Sequence, residues 1–359
     1  VSVRPYWHGC NYPWSSDGGR SFYALDFGAN VWGSHVGVST RRAAVAADFE
    51  RMAAMGFTVA RWFVFGDGRS GIVYDDWGMP ASLDDYVFAD MDAALEMARD
   101  AGMRLQLVLL DHHWMYSGIR ESVADPATGA LLVRRLREGR AAVLHSAAGR
   151  QALIEAVVIP LVRRYGPRGA RADLSGQLLA WELMNEPDFI IEEWERDVGM
   201  RVKAPLPFES AADLVAAFSR AVHAHSPALA TIGCARWHNL WAWDDDALGL
   251  DVLHLHTYPD LRLRWLDRDV FGTPAAALGV RRPVVLGEFP CNARERHPKW
   301  ASPPPHTMDD YLGFAVSGGY LGAWPWSFTG NDAYGPMPEE PLLRFARAHP
   351  ELVNARGRE

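Results

Sequence analysis

Short apolar runs, too brief for helices, alternate along the whole of this chain with longer amphipathic stretches. That alternation is the mark of repeated βα units around a parallel sheet. The first run spans Tyr6 to Tyr12. After a long loop, a helix is expected from about Thr40, with Val45, Phe49 and Met52 on one face and Gly56 as its stop. Thr58 to Phe65 forms the second strand. The helix after it is opened by Ser82 with Asp85 three residues on, carries Leu83, Val87, Met91 and Leu95 on one face, and ends at Gly102. Leu105 to Leu110, apolar apart from Gln106, reads as a third strand buried on both faces.

The polar, Arg-rich stretch from Asp111 to about Ala148 is too long for a simple connection. It is expected to be a functional loop with some structure of its own that overhangs the site. A helix from about Gly149 contains Pro160, which is expected to kink or break it. Leu178 to Met184 is strand four, and a helix over Ala211 to His225 leads to strand five at Leu229 to Gly233. Val252 to His256, Val284 to Leu286 and Tyr320 to Trp326 are strands six to eight, and a helix near Pro341 to Ala348 closes the ring. Eight strands with helices between them and no Gly/Ser linker place residues 1–359 in one domain of α/β class. The expected architecture is a single (β/α)8 TIM barrel with long loops at the C-terminal face of the strands. An open doubly wound sheet would need a glycine-rich phosphate turn after strand one, and Gly9-Cys10-Asn11-Tyr12-Pro13-Trp14 supplies none.

Length and composition agree with this reading. The 359 residues fit a barrel of about 250 residues with added loops. A formal charge of −8, with the 13 histidines counted neutral, argues against nucleic acid or an anionic membrane as partner, since both are bound through surplus Lys and Arg. A neutral small molecule or glycan fits better. No run of 18 apolar residues is present to span a bilayer. Cys10, Cys234 and Cys291 are too few and too scattered for a disulfide framework or a CxxC metal site, and read as buried thiols with at most one bridge. The chain begins at Val1, which leaves secretion and cytoplasmic residence both open. Fifteen tryptophans are many, and Trp14, Trp32, Trp77, Trp114, Trp194 and Trp300 fall in expected loops, where a flat aromatic face suits a sugar ring.

Barrel enzymes keep their reactive groups at the C-terminal ends of strands, and two carboxyl groups stand there. Asn185-Glu186-Pro187 ends strand four and Gly287-Glu288-Phe289-Pro290 ends strand seven. The residue before a proline is pushed to extended geometry, so Glu186 and Tyr258 are expected to belong still to strand ends. These two motifs resemble the acid/base and nucleophile motifs of clan A glycoside hydrolases, nearest to family five, which are retaining (β/α)8 barrels. The similarity runs through short motifs along nearly the whole chain. Arg61 in Val59-Ala60-Arg61-Trp62 resembles the strand-two arginine near the nucleophile, and Asp111-His112-His113 resembles the Asp-x-His after strand three, with His113 the better match. His256-Thr257-Tyr258 resembles the strand-six His-x-Tyr. Trp324-Pro325-Trp326-Ser327-Phe328-Thr329-Gly330-Asn331 is similar to the strand-eight segment of family-five mannanases, which would set Trp326 beneath the sugar.

The resemblance implies a retaining β-glycosidase acting on gluco- or manno-configured oligo- or polysaccharides without cofactor or metal. Glu186 would be the acid/base and Glu288 the nucleophile; Arg61, His113, Asn185, His256, Tyr258 and Trp326 would bind substrate or tune the pair. A barrel that binds glycans without cleaving them, and a transglycosylase with the same site, are the rival readings. Other residues have blander expectations. His112 packs or caps; the histidines at 112, 113, 254 and 256 lack the spacing of known zinc motifs. Asp67 and Arg69 pair with each other or line the cleft, as Asp188 could. Glu182 forms an outward salt bridge to a helix, and Asp244-Asp245-Asp246 is a solvated face. Long loops after strands one, three and four argue for a walled pocket and short substrates.

Overall fold

The computed structural model describes residues 5–15, 26–29, 34–115, 120–124, 131–135, 140–197, 205–258, 270–291, 306–330 and 336–354. Eight parallel strands are β1 (Trp7–Asn11), β2 (Val59–Phe63), β3 (Arg104–Asp111), β4 (Leu178–Asn185), β5 (Leu229–Cys234), β6 (Leu253–His256), β7 (Val284–Pro290) and β8 (Gly322–Trp326). They close into a barrel in the order β1-β8-β7-β6-β5-β4-β3-β2, so the (β/α)8 architecture expected from the sequence is the one observed. Each strand is apolar nearly throughout because helices cover its outer face while the barrel interior covers the other.

The helices follow their apolar stripes. Val45, Phe49 and Met52 bury the inner face of Arg42–Ala54, and Leu214, Phe218 and Val222 that of Phe208–His225. Gly56 and Gly102 stop their helices in left-handed geometry, with φ of 89° and 69°. Two local expectations are corrected. Ser82 and Leu83 lie in the strand Pro80–Leu83, paired antiparallel with Ile72–Tyr74, and the helix begins only at Val87. Asp84 is its cap, accepting from Tyr86 N at 2.9 Å and Val87 N at 3.1 Å. Pro160 does not break its helix. Ala147–Leu153 widens into a π-helical stretch, Ile154–Val158, and resumes as Ile159–Arg164, so the hydrogen-bond register changes just where the proline has no N–H to give.

The stretch after β3 does carry structure: a 3-10 turn at His112–Met115, a hairpin of Arg120–Ala124 with Leu131–Arg135, and a helix at Arg140–His145. Its remaining residues, and with them the expected overhang, lie outside the described residues, as do Trp32 and Trp300. Of the other loop tryptophans, Trp14 and Trp114 are buried, Trp194 is half-buried and Trp77 is exposed. All three cysteines are buried, and Cys10 and Cys234 are free thiols. Among the described residues no helix is long and apolar enough to cross a membrane.

Inside the barrel the filling changes with height. An apolar plug of Trp7, Val59, Leu179, Val252, Val285 and Trp324 comes from the first residues of the strands or just before them. Further along the strands, Asn11, Arg61, Gln106, Glu182, His254 and His256 form a fully buried polar layer. The glutamates stand at the strand tips above it, so the site rests on a rigid, hydrogen-bonded floor.

Candidate active site

Arg61 organises that floor. Its Nε and Nη2 donate to the two oxygens of Glu182 at 2.7 and 2.6 Å, and its Nη1 donates to Glu288 Oε1 at 2.5 Å. Nη2 also reaches Asn185 Oδ1 at 2.7 Å, and Nη1 reaches Asn11 Oδ1 at 3.0 Å. A buried guanidinium needs such partners. Burial works to strip its proton, but Glu182 and Glu288 outweigh that and hold it charged. Glu182 therefore does not face a helix, as expected from its sequence neighbours. It shares the inward face of β4 with Ala180, is wholly buried, and also accepts from Gln106 Nε2 at 2.6 Å.

Glu288 lies within β7. Besides Arg61 it accepts a hydrogen bond from the Tyr258 hydroxyl at 2.8 Å, two residues beyond the end of β6. Burial pushes its carboxyl up to about 7, against the pull of Arg61 and Tyr258. Glu186 follows the last residue of β4, and it does not continue the strand. Its φ of 49° and ψ of 52° are left-handed, and among the described residues no other non-glycine has a positive φ. The proline after it bars the right-handed helical region and opens a 3-10 turn at Pro187–Phe189, while the Glu186 N–H is held by Gly233 O at 2.9 Å. A conformation of this kind costs about 1–3 kcal/mol and persists where the surroundings impose it, as at functional sites.

Both carboxyl groups meet at His256. Its Nδ1 is 2.9 Å from Glu186 Oε1 and 3.4 Å from Glu288 Oε1, and the oxygens of the two glutamates and this nitrogen lie within 4.8 Å of one another. Burial, then the charge of Glu288, then Asp111 and Asp188 push Glu186 well above the ordinary carboxylate range. Glu288 is raised less because Arg61 and Tyr258 touch it directly. The surroundings thus favour the proton on Glu186 over Glu288.

The other residues singled out from the sequence divide into two groups. Arg61, His256 and Tyr258 touch the two glutamates directly, and Asn185 is tied to them through Arg61. The Asn185 amide is fixed at both ends, since its Nδ2 donates to Asp111 Oδ2 at 2.9 Å, and one amide hydrogen remains to spend at the mouth. His113 instead turns its Nδ1 and its backbone N–H to Asp111 Oδ1, the latter at 2.8 Å, and is 30 % exposed. His112, expected only to pack or cap, stands nearer Glu186, with Nδ1 3.9 Å from its Oε2 and the ring beside Phe189. Trp326 ends β8 half-buried, edge-on to Trp14 and Phe63, with a cis peptide to Ser327.

Asp67 pairs with Arg69. Asp188 is buried and accepts from Ala235 N and Asn239 Nδ2, both at 2.8 Å. Of the expected solvated face, Asp245 and Asp246 are exposed, but Asp244 is buried and accepts from the backbone N–H groups of Arg281 and Arg282. Sequence reasoning missed Asn11, Gln106 and Glu182 as parts of the floor. Their signal was a polar residue inside an otherwise apolar strand, which needs a buried partner somewhere.

If the pair works as its geometry allows, Tyr258→Phe removes a donor from the ionised form of Glu288. A hydrogen bond to a charged group is worth about 1.5–3 kcal/mol, so kcat/KM is expected to fall about tenfold or more. The acidic limb of its pH profile should move upward, because a less stabilised carboxylate protonates more readily. An unmoved limb would show that the hydroxyl does not act on Glu288.

No family profile matches the chain. Among solved structures, the β-1,4-D-mannanase of Cryptopygus antarcticus superposes with a TM-score of 0.71 at 18 % identity, covering 95 % of this chain and 89 % of that one. The β-1,4-mannanase of the sea hare Aplysia kurodai gives 0.70 at 16 % identity, covering 97 % and 94 %. The fold is that of the β-mannanase barrels. Mannan endo-1,4-beta-mannosidase 1 of Oryza sativa subsp. japonica is 23 % identical over 294 residues, which cover 76 % of this chain. The chain spans 65 % of that relative's length.

Proposed function

We propose that the chain is a retaining β-glycoside hydrolase acting on β-linked mannan or its fragments. The observation that carries this is the meeting of Glu186 and Glu288 on His256, with one oxygen of each carboxyl group within 4.8 Å of the other's. Retaining enzymes hold their carboxyl groups about 5–5.5 Å apart, whereas inverting ones need about 6.5–9.5 Å to seat a water. The sugar is argued from the names of the relatives and from the strand-eight motif around Trp326.

Glu186, protonated at rest, gives its proton to the glycosidic oxygen as the bond to the leaving sugar breaks. Glu288, ionised against Arg61 and Tyr258, attacks the anomeric carbon and forms a glycosyl ester. Glu186, now a carboxylate, takes a proton from a water that attacks the same carbon, and Glu288 leaves with its charge restored. Asn185 can donate its remaining amide hydrogen to the sugar 2-OH. The face of Trp326 can carry the ring at the cleaved position.

The test is to incubate the protein, and its Glu186→Gln and Glu288→Gln variants, with β-manno- and β-gluco-oligosaccharides and follow product anomers by proton NMR. The expected result is that the unaltered protein alone releases the β anomer first, from mannosides in preference to glucosides. Release of the α anomer first would overturn retention. Tight binding without cleavage would favour the glycan-binding reading, and products longer than the substrate the transglycosylase.

A further inference from the structure

Two residues before His256, on the same face of β6, lies a second buried histidine. His254 Nδ1 is 3.2 Å from His256 Nε2, and neither ring is more than 1 % exposed. The place is made for it. A Cβ on Gly287 would fall 1.8 Å from His254 Nδ1 and 1.9 Å from Cε1, so only a glycine before Glu288 lets the ring in. The other side of the ring meets Trp324 at 4.6 Å between centroids, and Trp324 is itself anchored by its indole N–H to Trp7 O at 2.9 Å. His254 Nε2 has no hydrogen-bond partner among the described residues.

From this arrangement we propose that His254 is a positioning residue that fixes the proton of His256 on Nδ1, and through it decides which oxygen of Glu186 carries the acid proton. The proposal rests on the acid/base role of Glu186 given above. An unpaired buried N–H is rarer than an unpaired buried acceptor, so the orphan nitrogen Nε2 of His254 is the bare one and Nδ1 carries the hydrogen. Nδ1–H then donates to His256 Nε2. An imidazole whose Nε2 accepts holds its hydrogen on Nδ1. That hydrogen points to Glu186 Oε1, with Glu288 Oε1 as the farther acceptor. Oε1 of Glu186 is thereby an acceptor, and the transferable proton is left to Oε2. Burial and then the charge of Arg61 keep both rings neutral, as the chain of donors requires.

The charged and titratable groups facing Glu186 are Arg61 from β2, Asp111 and His112 from the end of β3, Asp188 on its own turn, Cys234 from β5, His256 from β6 and Glu288 from β7. His254 touches none of them but His256. Without it His256 is free to turn its lone pair to Glu186, which favours the protonated carboxyl. His254→Leu is therefore expected to move the basic limb of the kcat/KM profile upward by about one pH unit. His254→Asn, whose amide can donate from the same place, should restore it. A purely structural role would lower stability and leave the limb in place in both variants.

The decisive measurement needs no activity. In protein labelled with nitrogen-15 at histidine, long-range nitrogen–proton correlations report which ring nitrogen bears hydrogen. Both His254 and His256, assigned by single substitution to Asn, are expected as Nδ1–H tautomers. An Nε2–H tautomer at either one overturns the proposal, whatever the protein hydrolyses and whether or not the leucine variant folds.

Discussion

Glu288→Gln is expected to lower kcat by roughly 10⁵-fold on every substrate that the unaltered protein cleaves, the order of loss seen when a nucleophile is removed from an otherwise intact site. An amide is a poor nucleophile toward the anomeric carbon, and no other described carboxylate stands beside Glu186 with an oxygen free to reach the same place. Glu182 is spent on Arg61 and Gln106, and Asp111 on Asn185 and His113. Glu186→Gln should behave otherwise. Loss of a general acid costs about 10²–10⁴-fold when the leaving group needs a proton, and far less with a dinitrophenyl glycoside, whose phenolate departs unaided. Steady-state rates for both variants on an oligosaccharide and on the dinitrophenyl glycoside separate the roles. Equal losses for both variants on both substrates would mean that the two carboxylates do not divide the work as their surroundings indicate.

Glu182→Leu is expected to cost about 3–5 kcal/mol of stability, read as a lower urea midpoint at unchanged slope. The reason is the charge left behind. Arg61 is completely buried and loses two hydrogen bonds with Glu182, so its guanidinium must be balanced by Glu288 alone. Replacing both members, Arg61→Met with Glu182→Leu, should not recover the loss, because Glu288, Asn11 and Asn185 then lose the donors of Arg61 as well. The milder Glu182→Gln carries a functional signature. Glu182 is among the groups that raise the Glu288 carboxyl, so its neutralisation should draw the acidic limb of kcat/KM to lower pH. A loss below about 1 kcal/mol in Glu182→Leu would sink the idea that this pair holds the floor together.

The barrel and its principal site residues were legible because both are written in local pattern. A strand buried on two faces is an apolar run, and a polar residue at its C-terminal tip, such as Asn185 or Glu288, stands out against it. What local pattern does not carry is the partner across the barrel. Glu182 looked like an outward charge because the residue that neutralises it, Arg61, is 121 positions away in the chain and adjacent only through the closed sheet. The same holds for Asn11, whose amide nitrogen serves Gly287 O at 2.8 Å and Trp324 O at 3.0 Å. Ser82 carried a sound capping signal, yet Asp84 two residues on accepts from the N–H groups of Tyr86 and Val87, so the helix starts later and Ser82 is left to a strand. The extended geometry expected at Glu186 failed for a related reason: the rule for residues before proline excludes the right-handed helix, and the tight turn took the left-handed alternative.

The close fit of large rings to glycines inside this barrel bears on how its sequence can change. Gly9 admits the indole of Trp324, Gly287 the ring of His254, and Gly233 the crowded ends of Glu182, Arg61 and His256; a Cβ at these positions would lie 2.6, 1.8 and 2.5 Å from its nearest neighbour. Each glycine and what fills its place form one steric unit shared by two or more strands. Saturation of either member alone samples almost nothing but clashes or holes, so directed evolution of specificity here would have to randomise the pairs together. In a family alignment those same positions should covary, large on one strand whenever small on the other, more tightly than the helix surfaces that surround them.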